Sequence, residues 1–289
     1  MGKYVFFILS IILVCVASFA EPLHIGIASI VSPDESLALY YDFNNYIGNK
    51  LGMEVETIIK RDYDVMNRMI KDSAVDVAFI CTGAIAALDE SEVRILAVPE
   101  VAGKQSYRSY IITNKSFDIK NISDLEGRSF AFTDRLSNSG TIYPSYLLIQ
   151  HFNKSPEKIL RKIYYTKSHD KSIFLINKGV VEAAAVDSLI FEFIKKKQPE
   201  KVENIKIIYT LPEMTSPPVV ASSHISDEIF NKIRYLLLNM DKDPDGVKIL
   251  KFLNIDRFVE AEMEDFNVIR KISETVEEFN SKNNPQKLQ

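Results

Sequence analysis

Cysteine is scarce in this sequence, whose 289 residues include only Cys15 and Cys81. Cys15 lies in an N-terminal segment that we expect to be removed, which leaves Cys81 alone. No internal disulfide is then available, even in an oxidising compartment. Cys81 ends the apolar run at residues 77–81, a position typical of a buried, unreactive thiol. Stability must therefore come from the core, which the 46% hydrophobic content permits.

An excess of basic residues is also missing. Lysine and arginine total 35 against 39 acidic residues, a formal net charge of −4. Loss of residues 1–20 removes Lys3 and no acid, so 34 basic and 39 acidic residues remain, a net charge of −5. This balance argues against a nucleic-acid partner. Any anion site must be local, because the overall field does not attract anions.

Motifs of the common catalytic classes are absent: there is no G-x-S-x-G, no H-E-x-x-H and no phosphate-binding P-loop. The four histidines lack metal-ligand spacing, so we expect neither a metal nor a cofactor. Residues 168–171 match S-x-x-K by letter, but no K-T-G or S-D-N partner exists. We expect a protein that is not an enzyme. An exported hydrolase using Ser168 and His169 is the remaining catalytic hypothesis.

The N terminus has the pattern of an export signal. Lys3 precedes an apolar run at residues 4–16, and residues 18–20 supply the small-x-small pattern that signal peptidase recognises. The run is shorter than the roughly 20 residues that span a bilayer, although an uncleaved anchor is the alternative. The residue before Cys15 is not small, so no lipid anchor is expected there. We predict a signal peptide at residues 1–20 and a periplasmic protein.

Short strand patterns alternate with helical patterns along the rest of the chain. This alternation predicts an α/β fold with mostly parallel sheets, in one unit up to about residue 112 and a second up to about residue 210. Residues 211–289 are predicted to be mainly helical. The strand patterns lie at residues 24–28, 53–59, 75–80, 93–98, 107–113, 128–133, 162–165, 183–186 and 205–209.

The most informative segment is residues 130–141, where a strand and a hydroxyl-rich turn precede a helix. The first turn of a helix presents unpaired N–H groups and partial positive charge, which together bind anions. Ser137, Ser139 and Thr141 add hydroxyl donors, and Gly140 allows a ligand close to the backbone. An ordinary N-cap turn is the alternative.

A second candidate wall follows the strand pattern at residues 75–80. Thr82 and Gly83 open a helix there, and ligands of open α/β sheets collect at the carboxyl ends of strands. Their N–H groups are therefore expected to face the first segment across a cleft. A plain strand–helix turn is the alternative.

Other candidates lie at similar turns or near the crossing between the units. Tyr63 and Tyr107 can close an apolar wall and offer a hydroxyl, although most of the 13 tyrosines have structural roles. His169 opens a helix after a strand, where it can donate to an oxyanion or simply face solvent. Asp187 follows another strand.

From about residue 23 to residue 258, the chain resembles the phosphonate-binding PhnD family of periplasmic binding proteins. The most specific landmark is Ser-x-Ser-Gly after Phe-x-Phe-x-Asp. The resemblance implies a type II periplasmic binding protein fold, in which two α/β lobes are joined by two crossing strands around a ligand cleft. Lobe 1 would comprise residues 21–112 and 211–289, and lobe 2 residues 113–210. The other landmarks are residues 62–63, 75–79, 107–110, 125–140, His169 and 185–188.

Position by position, the resemblance implies roles for several of these residues. Ser137, Asn138, Ser139 and Gly140 match the family's helix-start anion cradle, and His169 matches a histidine facing the anion. The cleft tyrosines are matched by Tyr63 and Tyr107. Thr82-Gly83 stands where the family usually has Gly-Pro or Gly-Asn, so that wall is altered.

The resemblance also bears on the ligand's substituent. Members that bind aminoethylphosphonate hold its ammonium group with acids, but here those places hold Leu189 and Pro217. An aminoalkyl ligand is therefore not expected. Asp187 is close enough in sequence to substitute for such an acid, or to accept a proton from a monoprotonated oxyanion.

The function implied by the resemblance is capture of a small tetrahedral oxyanion of the phosphonate, phosphite or phosphate type for an ABC importer. The lobes would close on the anion by bending at the crossing strands. The expected partners are the oxyanion and a membrane permease, and the protein is expected to be a monomer. The alternative is a ligand-sensing module that signals to a membrane receptor or histidine kinase.

Overall fold

A computed structural model describes residues 21–28 and 32–283. The predicted signal peptide and Cys15 lie outside the described residues. Within them, no helix is both long and apolar enough to cross a membrane. The strands are β1 (Leu23–Ala28), β2 (Val55–Lys60), β3 (Val77–Phe79), β4 (Val93–Glu100), β5 (Ser106–Tyr107), β6 (Ser109–Asn114), β7 (Ser129–Phe132), β8 (Lys162–Tyr165), β9 (Ala183–Asp187), β10 (Ile205–Thr210), β11 (Met214–Thr215), β12 (Val219–Ser222) and β13 (Arg257–Val259).

Helices fill most of the segments between these strands, and local signals set their ends. For example, the first long helix ends at Gly52, whose φ of +67° suits glycine and lets its N–H bond to the last turn. The helices are α1 (Pro33–Leu51), α2 (Tyr63–Lys71), α3 (Thr82–Ala86), α4 (Tyr143–Phe152), α5 (Pro156–Ile159), α6 (His169–Asn177), α7 (Ser188–Lys197), α8 (Asp227–Leu238), α9 (Pro244–Leu253) and α10 (Asn267–Asn283). Shorter helical turns lie at Ile122–Leu125, Asn138–Ile142, Pro199–Lys201, Met240–Lys242 and Met263–Phe266.

The first sheet has the strand order β13-β4-β12-β3-β1-β2 and is the centre of lobe 1. Strand β1 pairs in parallel with β2 and β3, whereas β12 is antiparallel to both β3 and β4. Ile27 and Phe79 pack on one face, and Ala78 and Ile80 pack on the other. Burial on both faces explains why the predicted strand at residues 75–80 is almost wholly apolar.

Strands β12 and β13 depart from the mainly helical character predicted for residues 211–289. Strand β12 has only four residues and follows two prolines, and β13 has three. Such short runs carry no periodicity that separates a strand from a loop. Pairing with β3 and β4 fixes β12 as a strand, and this is a tertiary effect.

The second sheet has the order β10-β6-β9-β7-β8 and is the centre of lobe 2. Strand β7 is parallel to β8 and β9, and β6 is antiparallel to β9 and β10. Side chains of α4 and α6 pack over its two faces. The carboxyl ends of β7 and β9 therefore meet at one edge, which places the turns after them side by side.

Two short strands connect the sheets. Strands β5 and β11 pair antiparallel, with Tyr107 opposite Met214, and form what we call the hinge ribbon. The strand predicted at residues 107–113 is thus two strands, divided at Arg108, with β6 already in the second sheet. The lobe limits at residues 112 and 211 stay a proposal.

Candidate functional site

The turn after β7 forms a cap for the helix that follows, as the sequence predicts. The Ser137 hydroxyl accepts the Gly140 N–H at 3.1 Å, and the Ser137 carbonyl accepts the N–H groups of Thr141 and Ile142. A π-helical turn at Asn138–Ile142 then continues directly into α4. The first-turn amides of Asn138 and Ser139 have no partner inside the helix. Ser137 to Thr141 are called the cradle below.

The cradle is buried between the lobes and contains unsatisfied polar atoms. Ser137, Asn138 and Ser139 are at most 1% exposed. Among the described residues, Asn138 Oδ1, Ser139 Oγ and Thr141 Oγ1 are buried without a hydrogen-bond partner. Each such atom costs about 1–3 kcal/mol when it is left unpaired. Their concentration in one turn indicates a place for a polar ligand.

Glycine 83 of lobe 1 lies directly against the cradle of lobe 2. A Cβ atom added to Gly83 would lie 2.2 Å from the Leu136 carbonyl oxygen and 2.8 Å from the Asn138 nitrogen. Only glycine allows this approach of two backbones. The structure therefore shows the lobes closed, with the start of α3 facing the cradle as predicted.

Hydroxyl groups of lobe 1 and the hinge ribbon lie opposite the cradle and complete the wall of the interlobe site. The Tyr107 hydroxyl accepts a hydrogen bond from Asn138 Nδ2 at 2.8 Å. The Thr82 hydroxyl donates to the Thr215 carbonyl at 3.1 Å and lies beside the Tyr107 hydroxyl. Burial raises the pKa of Tyr63 and of Tyr107 well above the usual value. Both therefore remain neutral hydroxyls that can donate to an anion.

Asp187 caps α7 at the same edge of lobe 2. Its Oδ1 accepts the N–H groups of Leu189 at 2.7 Å and Ile190 at 3.3 Å. Burial raises the pKa of Asp187 to about 7, although these N–H groups and the Ser139 hydroxyl act in the opposite direction. The Ser139 hydroxyl lies close to the carboxyl group without a hydrogen bond of normal geometry. A carboxyl group whose pKa is raised by burial can share a proton with an oxyanion beside the cradle.

His169 lies behind Asp187 in the structure. Its Nδ1 accepts the backbone N–H of Asp187 at 3.0 Å. Burial lowers the pKa of His169 to about 4, so the ring is neutral and its proton lies on Nε2. His169 thus fixes the backbone that carries Asp187, a role that the sequence pattern does not reveal. Its predicted contact with the anion stays a proposal.

The pKa shifts of these two residues predict opposing effects of pH on stability. The pKa of Asp187 is raised from 3.8 to about 7, so between these values the native state binds a proton that the unfolded state lacks. The free energy of unfolding therefore falls as the pH rises from about 4 to about 7. The pKa of His169 is lowered from 6.5 to about 4, so between these values the unfolded state binds the extra proton. The free energy of unfolding therefore rises as the pH rises from about 4 to about 6.5. Asp187→Asn removes the first effect. Relative to wild type, its stability should rise with pH across this window, by up to about 1.4 kcal/mol per pH unit.

Urea denaturation of both proteins from pH 4 to pH 7.5 measures this difference. Asp243→Asn is a suitable control, because Asp243 also caps a helix but its pKa is lowered by a hydrogen bond from Lys50. For that variant the stability difference from wild type should stay nearly constant from pH 4 to pH 7.5, because the pKa of Asp243 is lowered and its own change with pH lies below about pH 4. A constant offset for Asp187→Asn over the whole range would contradict the prediction.

Polar contacts hold the lobes together on two sides of the site. Lys167 of lobe 2 donates to Asp62 of lobe 1 at 3.0 Å and to Asp134 at 2.9 Å. On the other side, Lys196 donates to Asn254 Oδ1 at 2.7 Å. Apart from the buried Asp134 these groups are partly or fully exposed, so each of the two contacts between the lobes contributes at most about 1 kcal/mol. Such weak contacts suit a closure that must reverse.

An apolar cavity of about 110 Å³ lies between the lobes next to Asp187. Among the described residues that line it, Asp187 is the only one with an acidic or basic side chain. Burial, with a smaller effect of Asp187, raises the pKa of Tyr40 to about 12, so its hydroxyl is also neutral. Leu189 and Pro217 line this cavity, and neither side chain offers it a carboxylate. The other lining residues include Phe79, Ile80, Ile190 and Pro218.

Cys81 lies next to the cradle, although the sequence analysis assigned it no part in the site. It is buried as predicted, at 3% exposure, but its sulfur is approached by the N–H groups of Gly83 and Asn138 and by the Ser137 hydroxyl. Its position just before Thr82, at the end of β3, was the available signal. Within the described residues, no three His, Cys, Asp or Glu side chains are grouped to hold a metal ion.

The family model described as the periplasmic substrate-binding protein of phosphonate ABC transporters matches residues 25–266. A probable phosphite-binding ABC transporter protein of Prochlorococcus marinus (strain MIT 9301), PhnD1, is 25% identical over 249 residues, 80% of this chain and 81% of that protein. The phosphonates-binding periplasmic protein of Escherichia coli (strain K12) is 25% identical over 239 residues, 81% of this chain and 70% of that protein.

Solved structures show the same fold. A binding component of a phosphonate ABC transporter from Pseudomonas aeruginosa superimposes with a TM-score of 0.85, at 24% identity over 92% of this chain and 90% of that one. Prochlorococcus marinus PhnD1 in complex with methylphosphonate superimposes with a TM-score of 0.80, at 20% identity over 88% of this chain and 98% of that one. The predicted fold of two α/β lobes is therefore confirmed.

Proposed function

Because this chain belongs to the family of periplasmic substrate-binding proteins of phosphonate ABC transporters, we propose that it captures a small tetrahedral oxyanion for an ABC importer. The candidate anions are phosphonate, phosphite and phosphate. One observation carries this proposal: buried, unpartnered polar atoms of the cradle face a start of α3 that only glycine allows so close. A tetrahedral anion supplies several acceptor oxygens in one place, which suits the hydroxyl donors of Ser139 and Thr141 and the first-turn amides of the cradle.

Binding starts on the cradle of the open form. The amides of Asn138 and Ser139, which have no partner inside the helix, and the Ser139 hydroxyl donate to the anion, while Ser137 keeps the helix start rigid. The Asn138 amide thereby exchanges the weakly accepting sulfur of Cys81 for an anion oxygen. Bending at the hinge ribbon then brings Gly83 and the two tyrosines onto the anion from lobe 1. All these donors are neutral, so the helix dipole balances the charge without a buried lysine or arginine.

The environment of Asp187 sets the protonation state of the anion. Because burial raises the pKa of Asp187 to about 7, the carboxyl group can donate to an oxyanion when it is protonated or accept from one that carries a proton. Full ionisation at high pH would place two negative charges side by side. Affinity for a dianion should therefore decrease above pH 7.

The apolar cavity beside Asp187 favours a hydrogen or a small uncharged alkyl group on the anion. A buried ammonium group would need a carboxylate partner, and the Asp187 carboxyl group already caps α7. Leu189 and Pro217 provide none. Phosphite and methylphosphonate fit this description better than aminoethylphosphonate.

Calorimetric titration with phosphite, methylphosphonate, phosphate and aminoethylphosphonate tests the proposal. At least one of the first three should bind. Aminoethylphosphonate should bind at least about tenfold more weakly than methylphosphonate, because its ammonium group meets an apolar wall. The proposal is wrong if none of these anions binds while arginine or another cationic solute does.

A pair of serine variants adds a matched control. Ser139→Ala removes an unpartnered hydroxyl of the cradle and should weaken anion binding by roughly 10- to 100-fold. Ser145→Ala changes a buried serine of α4 outside the cradle and should leave the affinity within about twofold. If the two variants bind the anion with equal affinity, the anion does not bind at the cradle.

The wider biological role follows from the same proposal. We propose that the protein is exported, loses residues 1–20 and acts as a monomer with a membrane permease. Stimulation of the permease's ATPase activity by the loaded protein would support delivery for import.

A further inference from the structure

The apolar cavity beside Asp187 lies next to the cradle in both lobes. In lobe 2, Asp187 lines the cavity and pairs across the sheet with Ser109, whose hydroxyl donates to the Ser139 carbonyl of the cradle at 2.6 Å. In lobe 1, Ile80 lines the cavity shortly before Gly83, which lies directly against the cradle. A substituent on an anion held at the cradle can therefore enter this cavity.

The walls of the cavity are suited to a hydrocarbon group. Lobe 2 contributes Leu189 and Phe193 from the first two turns of α7, and lobe 1 contributes the rings of Phe79 and Phe258. The Oδ1 atom of Asp187 already accepts the N–H groups at the start of α7. Water in the cavity would find few hydrogen-bond partners, whereas an apolar group gains free energy by leaving water.

The cavity is also larger than a methyl group requires. Its volume is about 110 Å³. For comparison, an engineered apolar cavity of about 150 Å³ in another protein binds benzene, a ring of six carbon atoms. At the same volume for each carbon atom, the cavity beside Asp187 holds about four carbon atoms.

We propose that the preferred ligand is a phosphonate with an uncharged alkyl group of about three or four carbon atoms. This inference rests on the proposed function and names the substrate class of the same site. The phosphonate oxygens bind at the cradle, and the alkyl group extends past Asp187 into the cavity. Each methylene group removed from water should raise the affinity by about fourfold until the cavity is full.

Calorimetric titration of the wild-type protein with methyl-, propyl-, butyl- and hexylphosphonate tests the proposal. Propylphosphonate should bind about tenfold more tightly than methylphosphonate, and butylphosphonate at least as tightly as propylphosphonate. Hexylphosphonate should gain nothing over butylphosphonate, because about four carbon atoms fill the cavity. A continued rise in affinity to hexylphosphonate would contradict this limit.

The same titrations separate this proposal from the proposed function. If phosphite, phosphate or methylphosphonate binds and the longer alkylphosphonates bind no more tightly than methylphosphonate, the assignment of the alkyl group is overturned. If no tetrahedral anion binds, the proposed function itself fails.

Propylphosphonate and aminoethylphosphonate form a matched pair of ligands. Their substituents have the same length, but one ends in a methyl group and the other in an ammonium group. Propylphosphonate should bind about 100-fold more tightly, because the charged group loses its hydration in an apolar cavity. Similar affinities for the two ligands would show that the substituent does not enter the cavity.

A pair of phenylalanine variants tests the location of the alkyl group. Phe193→Ala enlarges the cavity, so the ratio of hexylphosphonate to propylphosphonate affinity should rise by roughly fivefold or more. Phe174→Ala is the control, because Phe174 is an exposed residue of α6 that lies outside the lining of this cavity. It should keep the wild-type ratio within about twofold. An unchanged ratio in Phe193→Ala would overturn the proposal.

Discussion

Gly140→Ala should weaken anion binding severely in a protein that still folds. The added Cβ would lie 1.8 Å from Thr133 Oγ1 and 2.9 Å from Ser137 Oγ, so the cradle must move. That movement breaks the cap between the Ser137 hydroxyl and the Gly140 N–H. Overpacking of this kind costs about 1–3 kcal/mol of stability. Loss of charge-assisted hydrogen bonds should weaken binding by about 100-fold or more, measured by calorimetry.

Gly246→Ala is the matched control for this variant. Its Cβ would lie 2.2 Å from the Met240 carbonyl oxygen, a comparable clash in α9 of lobe 1. It should lower the midpoint of urea unfolding by a similar amount, yet leave the affinity unchanged. The account of the cradle is contradicted if Gly140→Ala binds as tightly as Gly246→Ala.

Gly83→Ala should prevent complete closure of the lobes. Its Cβ would meet the Leu136 carbonyl oxygen at 2.2 Å and the Asn138 nitrogen at 2.8 Å, and both are backbone atoms of the other lobe. Because neither lobe's own core changes, the free energy of unfolding should fall little. Binding should weaken by about 100-fold, since the donors of lobe 1 no longer reach the anion.

Small-angle X-ray scattering measures this closure directly. Wild type should become more compact when saturating methylphosphonate is added, whereas Gly83→Ala should contract less. Gly26→Ala is the control, because its clash with Met66 and Val75 lies wholly within lobe 1 and should cost stability without blocking closure. Normal contraction of Gly83→Ala would show that this contact does not limit closure.

Local sequence signals were sufficient for the parts of the site built from one segment. Ser137, Gly140 and the following helix form a strand, a cap and a helix start within a dozen residues, so hydroxyl and glycine positions predict the cradle. The same holds for Thr82 and Gly83 after β3. These features depend on backbone geometry that a few neighbouring residues determine.

Features that depend on distant pairing could not be predicted in this way. Strand β12 exists because β3 and β4 flank it, and His169 contacts Asp187 because β9 and α6 pack together. The contact of Cys81 with Ser137 and Asn138 requires closed lobes, and the apolar run before Cys81 suggests only burial. Tertiary structure changed the interpretation of each of these residues.

A crystal structure of the protein grown with methylphosphonate tests the central claim most directly. We predict a tetrahedral anion between the lobes that accepts hydrogen bonds from the Asn138 and Ser139 amides and the Ser139 hydroxyl, with its methyl group towards the apolar cavity. Closed lobes with the anion bound away from the cradle, or no anion at concentrations that saturate binding in solution, would contradict the account.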